Sequence, residues 1–237
     1  PMNFKKYLAL GTALTLTLLA GCGSSGSGDD QIVIYSNADE EAVTAMENAL
    51  DAGGYEGKYI VQTYGTSELG GKLLAEGTNL EADLVTMSTF YLQSAQEQNN
   101  MFLPLDFEVN TLAEAPDSTA PITSQEGAII LNTELMASEN LPTPTCLKDL
   151  ADPVYAGQVA VTDIQSSSTA WLLIQALVDA YGEDGAEEPL AAIYDNCGAH
   201  IETSGSGPLK LCRAGEVAIG FGLRHQAVAD KADGLPI

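Results

Sequence analysis

The chain has 237 residues, with 33 acidic side chains against 9 basic ones and a net charge of −24 at pH 7. Nucleic acid and anionic bilayers repel so negative a surface, so neither is expected as a partner. Cations are scarce enough to be informative: Arg213 and Arg224 are the only arginines, His200 and His225 the only histidines.

In chain order, Lys5 and Lys6 precede an apolar run, Tyr7 to Leu19, that ends in Leu18-Leu19-Ala20-Gly21-Cys22. A basic start, a run too short to span a bilayer comfortably and small residues at its end describe a secretory signal over residues 1–22. Residues 23–30, rich in Gly and Ser, form a flexible tether. No later stretch is apolar enough to span a membrane.

From Gln31 onward, strands and helices alternate. Gln31–Tyr35 predicts a strand, and Asp39-Glu40-Glu41 opens a helix with apolar residues at Ala42, Ala45, Met46, Ala49 and Leu50, ended by Gly53-Gly54. Tyr59–Thr63 is the next strand; Thr66 or Ser67 caps a helix that stops at Gly77. Ala82–Thr86 is a third strand, followed by Ser88, Thr89 and a helix through Gln98. Leu103 to Thr123 is irregular and rich in proline. Ala128–Asn132 reads as a strand, and Gln158–Thr162 begins a second alternating set. Ser168 caps a helix over Ala170–Tyr181, and a second helix covers Glu187–Asn196. Ala199–Glu202 is a strand, Pro208 sits in the first turn of the next helix, and Gly215 ends that helix. Glu216–Phe221 is a strand and Leu223–Asp233 the last helix. This order predicts an α/β fold with largely parallel sheets. The single tryptophan, Trp171, is read as core, with the cleft floor as the alternative.

One pattern recurs: an apolar strand, then small hydroxyl residues, then a helix start. It appears at Ser36-Asn37, at Thr63 to Ser67, at Ser88-Thr89, at Ser166 to Thr169 and at Ser204 to Ser206. Hydroxyls and free N–H groups at a helix N-terminus favour an anion, and ligands of open α/β sheets sit beyond the carboxyl ends of the strands. Cys146, Cys197 and Cys212 are an odd set for an exported chain. Cys197–Cys212 is the disulfide weighed, against three buried thiols.

Several stretches in this order carry a family resemblance: Ile32-Val-Ile-Tyr-Ser36, Ser67-Glu-Leu-Gly-Gly-Lys-Leu73, Ala82-Asp-Leu-Val85, Gly127-Ala-Ile-Ile-Leu-Asn-Thr133 and Ala214-Gly-Glu-Val-Ala-Ile-Gly220. The chain resembles the solute-binding proteins of bacterial ABC importers, in the ferric-ion, 2-aminoethylphosphonate and hexose-phosphate group. Leu19-Ala-Gly-Cys22 resembles the bacterial lipobox, which implies lipidation at Cys22 and anchoring outside the cytoplasmic membrane. The implied fold is a two-lobed periplasmic-binding-protein-like (type II) α/β fold. Residues 31–125 would form the first lobe, 126–133 a hinge crossover and 134–237 the second lobe. The family continues past Ile237, which implies truncation at the C-terminus, without the segment that returns to the first lobe. The implied role is capture of a small solute by a monomer that closes on it and is read by permease subunits, with no cofactor and no chemistry of its own.

In ferric relatives a His, a Glu and two adjacent Tyr hold iron. The resemblance places those positions on Asp39, Ser88, His225 and Gln226, a poor set for a hard cation, so no metal site is assigned. The relatives' anion pocket falls on Thr89 and Ser168 to Ala170. With Ser36, Asn37, Asp39, Thr66, Ser88, Ser204, Ser206, Arg224 and His225 these make the candidate ligand set. Arg224 would grip a phosphoryl or phosphonate head with His225 as a further donor, and Asp39 and Glu40 would meet an ammonium or sugar hydroxyls. Open alternatives are an Arg224 that only pairs with a surface carboxylate, a ferric-ion binder, a sensor lobe and a secreted hydrolase. No hydrolase motif is present.

Overall fold

The computed structural model describes residues 31–112 and 114–237. The signal segment, the tether and Cys22 lie outside them. The first sheet is three parallel strands in the order β2-β1-β3: β1 (Ile32–Ser36), β2 (Tyr59–Thr63) and β3 (Leu84–Thr86). Each strand runs into a helix: α1 (Glu40–Leu50), α2 (Thr66–Glu76) and α3 (Thr89–Asn99). Leu69 and Leu73, four apart on one face of α2, are fully buried. Both belong to the apolar stripe that makes this segment helical rather than extended.

The second sheet has four strands in the order β4-β7-β5-β6. These are β4 (Gly127–Leu131), β5 (Val159–Thr162), β6 (Ile201–Glu202) and β7 (Ile219–Leu223). β5, β6 and β7 are parallel to one another, while β4 pairs antiparallel with β7 from Gly127↔Leu223 to Leu131↔Ile219. A short helix, α4 (Thr133–Ser138), follows β4. Helix α5 (Thr169–Cys197) follows β5, α6 (Gly207–Ala214) follows β6 and α7 (Arg224–Ala232) follows β7. Inside α5, Gly182 takes φ 74° and ψ 169°. That conformation is strained for any residue with a Cβ, and it breaks the segment into the two expected helices.

Alternation along the strands separates two cores. Val159, Val161, Ile219 and Phe221 face α5 and pack with Leu173, Leu177, Ile193 and Cys197. Ala160 and Ile130 face α6 and pack with Leu209, Cys212 and Val217. Truncating Leu173 or Leu177 would cost about 2–5 kcal/mol each, as for other leucines in close-packed interiors. This division corrects the disulfide expectation. Cys197 and Cys212 are both free and buried, with the sheet between them. Burial pushes each thiol up to about 12. Cys146 is free and exposed.

The expected alternation is present, with three differences. α4 is an added helix, capped by the Asn132 side chain, which accepts from the Leu135 amide. β7 is displaced toward the C-terminus, so Val217 and Ala218 are buried ahead of the ladder rather than in it. Trp171 is not core: it is 47% exposed and stacks on Phe90 of α3 at 6.4 Å between ring centroids. Among the described residues, no helix is long and apolar enough to cross a membrane.

Candidate functional site

The carboxyl ends of β1, β2, β5 and β6 converge on a cavity of about 390 Å³. Its walls are the loops that open α1 and α2 on one side and α5 and α6 on the other: Asn37 to Glu40, Thr63 to Thr66 with Glu68, Ser166-Ser167 and Thr203 to Gly205. Four helix N-termini therefore meet at one cavity. In none of the four does the N-cap side chain bond its own helix. At α1 and α2 the first-turn N–H groups lack a side-chain acceptor, whereas at α5 and α6 the Thr169 amide bonds Ser167 Oγ and the Ala170, Trp171 and Gly207 amides bond backbone carbonyls; four helix dipoles add at the cavity.

On the first-sheet side, Ser36 is fully buried and structural: its Oγ accepts from the Ala38 amide at 3.1 Å and from Thr86 Oγ1 at 2.7 Å. Asn37 Nδ2 donates to Thr66 Oγ1 at 3.0 Å, tying the α1 loop to the first residue of α2. The N-cap position of α2 is Gly65, so neither Thr66 nor Ser67 caps it. Ser67 instead reaches across, its Oγ donating to the Gln165 carbonyl.

On the second-sheet side, Asp163 Oδ1 accepts from the Gln165 amide, the Ser166 amide and Ser166 Oγ at 3.0, 2.8 and 2.7 Å. The Ser166 hydroxyl leads the causes that hold this carboxyl below its usual range. This turn fixes the chain ahead of α5. Ser167 Oγ, rather than Ser168, accepts from the Thr169 amide, at 3.3 Å. Between Ser204 and Ser206, a Cβ on Gly205 would lie 2.5 Å from Thr169 Oγ1, so only glycine lets the two loops approach this closely. Asp39 crosses the cavity: its Oδ1 accepts from Ser204 Oγ at 3.1 Å and from Ser206 Oγ at 3.4 Å.

The structure thus brings Asn37, Asp39, Thr66 and Ser204 of the expected set into the lining, with Ser206 bonded to Asp39 and Thr169 set against Gly205 behind it. Ser168 and Ala170 sit at the start of α5 but are not in the lining. Ser88 and Thr89 are exposed at the start of α3 and also lie outside it. Arg224 and His225 are outside it as well. Because β7 runs on to Leu223, Arg224 becomes the first residue of α7, beside the start of β4. Its amide donates to the Glu126 carbonyl at 2.9 Å and its Nη1 pairs with Glu126 Oε2 at 3.4 Å, both side chains 63% exposed. An ion pair so exposed contributes about 0–1 kcal/mol. Gln226 turns inward instead, its Nε2 donating to Glu41 Oε2 at 2.7 Å. Ser166, Ser167 and Gly205 fall within the recurring strand–hydroxyl–helix pattern but are absent from the candidate ligand set, and Glu68 is missed by both. The rule that found their neighbours, hydroxyl and glycine residues after a strand, covers all of them but Glu68, which lies inside the first turn of α2.

A family model described as bacterial extracellular solute-binding protein matches residues 83–218. The chain belongs to that family. The binding protein is 29% identical over its whole length to a Haemophilus influenzae protein, covering 70% of that relative. It is 26% identical over 91% of its length to the Fe(3+)-binding periplasmic protein of Serratia marcescens, covering 63% of it. Among solved structures it resembles the periplasmic binding protein AfuA of Actinobacillus pleuropneumoniae with fructose 6-phosphate bound. There the TM-score is 0.69 at 23% identity, over 87% of this chain and 67% of that one. The chain therefore spans roughly two thirds of the length of these relatives, and the structural likeness carries the two-lobed α/β fold of the binding proteins.

Proposed function

We propose that this is the solute-capturing component of an ABC importer and that its solute is a small phosphorylated or phosphonate anion, a sugar phosphate or an aminoalkylphosphonate. The observation that carries this reading is the meeting of four helix N-termini, none capped by its own N-cap side chain, at one cavity. Phosphoryl oxygens are the acceptors such N–H groups and serine hydroxyls favour. Asp39, Glu40 and Glu68 line the same cavity. They suit an ammonium or hydroxyl-bearing tail, so one solute carries both chemistries. The lobes would close on it, and the permease would read the closed form. Cys22 would carry the lipid anchor outside the membrane, and the protein would work as a monomer without catalysis.

Arg224 is not among the anion's contacts in this reading. A ferric ion is the second reading, favoured by the likeness to the Serratia protein. Thermal shift and calorimetry against fructose 6-phosphate, 2-aminoethylphosphonate, inorganic phosphate and ferric citrate separate the two. Stabilisation by phosphoryl or phosphonate compounds is expected, with Arg224→Ala binding within twofold of wild type. Stabilisation by ferric citrate alone would overturn the anion reading.

A further inference from the structure

We propose that Asp39 is an internal occupant of the cleft: without solute, its carboxylate takes the second-lobe hydroxyls that the solute must take. The inference rests on the anion reading above and adds a competitor to it.

Asp39 occupies the N-cap position of α1 with extended backbone, φ −67° and ψ 160°, yet its side chain bonds no amide of its own helix. An aspartate there ordinarily caps, which is worth about 1 kcal/mol. This one points its carboxylate across the cavity, to Ser204 Oγ and Ser206 Oγ. The two hydroxyls lie 3.1 Å apart and converge on a single oxygen. Gly205 lies between them, and a Cβ there would be 3.5 Å from Asp39 Oδ2. The loop is therefore closed around a carboxylate.

A second observation comes from beneath the loop. Thr162 ends β5, is 1% exposed, and has no partner for its Oγ. Alternation puts it on the sheet face of Ala160, the face covered by α6. On the same face, a Cβ at Gly222 would lie 3.7 Å from the Gly205 carbonyl. Thr162 does not line the cavity, so its hydroxyl belongs to the packing beneath the loop and not to the solute's contacts. A carboxylate offers two oxygens and one charge. A phosphoryl group offers three oxygens and more charge, and so makes more of the contacts this loop provides.

The consequence is a toll on affinity. Solute binds only the fraction of molecules from which Asp39 has withdrawn, and the apparent dissociation constant rises by the inverse of that fraction. Specificity follows as well. A solute with an ammonium or hydroxyl tail gives the displaced carboxylate a new partner, whereas a bare anion does not.

The test compares wild type with Asp39→Asn and Asp39→Ala. Calorimetry measures binding of inorganic phosphate and fructose 6-phosphate, and small-angle scattering measures the ligand-free protein. The expected result is at least tenfold tighter phosphate binding in Asp39→Ala, with a larger radius of gyration in that variant without ligand; Asp39→Asn changes less, because its amide oxygen still accepts from both hydroxyls. Unchanged or weaker phosphate binding in Asp39→Ala would overturn the proposal. If neither probe binds wild type or variants, the anion reading falls by itself. Scattering then decides the occupant: expansion of ligand-free Asp39→Ala upholds it, and no expansion overturns it.

Discussion

Asn132 joins β4 to α4 and fastens both to α6, and its removal has a size that follows from its bonds. The side chain belongs to a residue only 4% exposed. Its Oδ1 accepts from the Leu135 amide at 2.9 Å, and its Nδ2 donates to the Cys212 carbonyl at 2.8 Å. Asn132→Ala removes the cap, about 1 kcal/mol. It also removes a buried hydrogen bond worth about 1 kcal/mol net. The Cys212 carbonyl is not orphaned, because the Gly215 amide still donates to it at 3.1 Å. The sum is therefore about 2 kcal/mol, not the larger figure of a stranded buried acceptor. For a domain of this size that lowers Tm by about 4–8 °C. Asn132→Ser keeps a capping oxygen and recovers about half of the loss. Asn132→Asp keeps the cap but sets a carboxylate against the Cys212 carbonyl, and falls at least as far as alanine. Urea unfolding followed by circular dichroism, with an unchanged m value, gives the same ranking. A fall in Tm of less than about 2 °C for alanine, or a serine variant no better than alanine, would refute the two-bond assignment.

Further outcomes concern acid, thiols and fluorescence. Asp149 accepts from the Thr145 amide, the Thr145 hydroxyl and the Cys146 amide, and the Thr145 amide leads in holding its carboxyl at about 2 against an ordinary 3.8. A depressed carboxyl stabilises above its unfolded pKa and loses that contribution as pH falls through the folded one. Asp149→Asn is therefore less stable than wild type at pH 6, and the gap closes between about pH 4 and 2; a constant gap over that range in acid titrations would contradict it. Of Cys146, Cys197 and Cys212, iodoacetamide at pH 8 labels Cys146 alone in the native protein and all three in urea, read by peptide mass mapping. A Cys197–Cys212 cross-linked peptide would refute the placement of these thiols on opposite sheet faces. Trp171 is the only tryptophan and stands against Phe90 from the other sheet. Solute binding is expected to shift its emission, and Phe90→Ala to reduce that shift; an emission spectrum blind to a solute that calorimetry detects would remove the pair from the cleft.

The alternation of strand and helix was legible because β1, β2, β3 and β5 are short, mostly apolar runs of three to five residues that each end in Ser or Thr. The site was legible to the same extent, since its residues are those strand-end loops. The failures have physical causes. Local pattern cannot tell where a ladder stops: β7 runs two residues past the expected Phe221, so the last helix opens at Arg224 rather than at Leu223. Cys197 and Cys212 are near in sequence but separated by a sheet whose face assignment depends on register. Trp171 sits in an apolar helix, yet the face it occupies is set by Phe90, which is 81 positions away in the chain.

The two sheets share a single covalent crossing among the described residues, the segment between α3 and β4. From Gly127 to Leu131 that crossing is already clamped to β7 over five consecutive pairs. A slip of one residue there would carry every β4 side chain to the other face of the sheet, so the ladder anchors this end of the crossing in a single register.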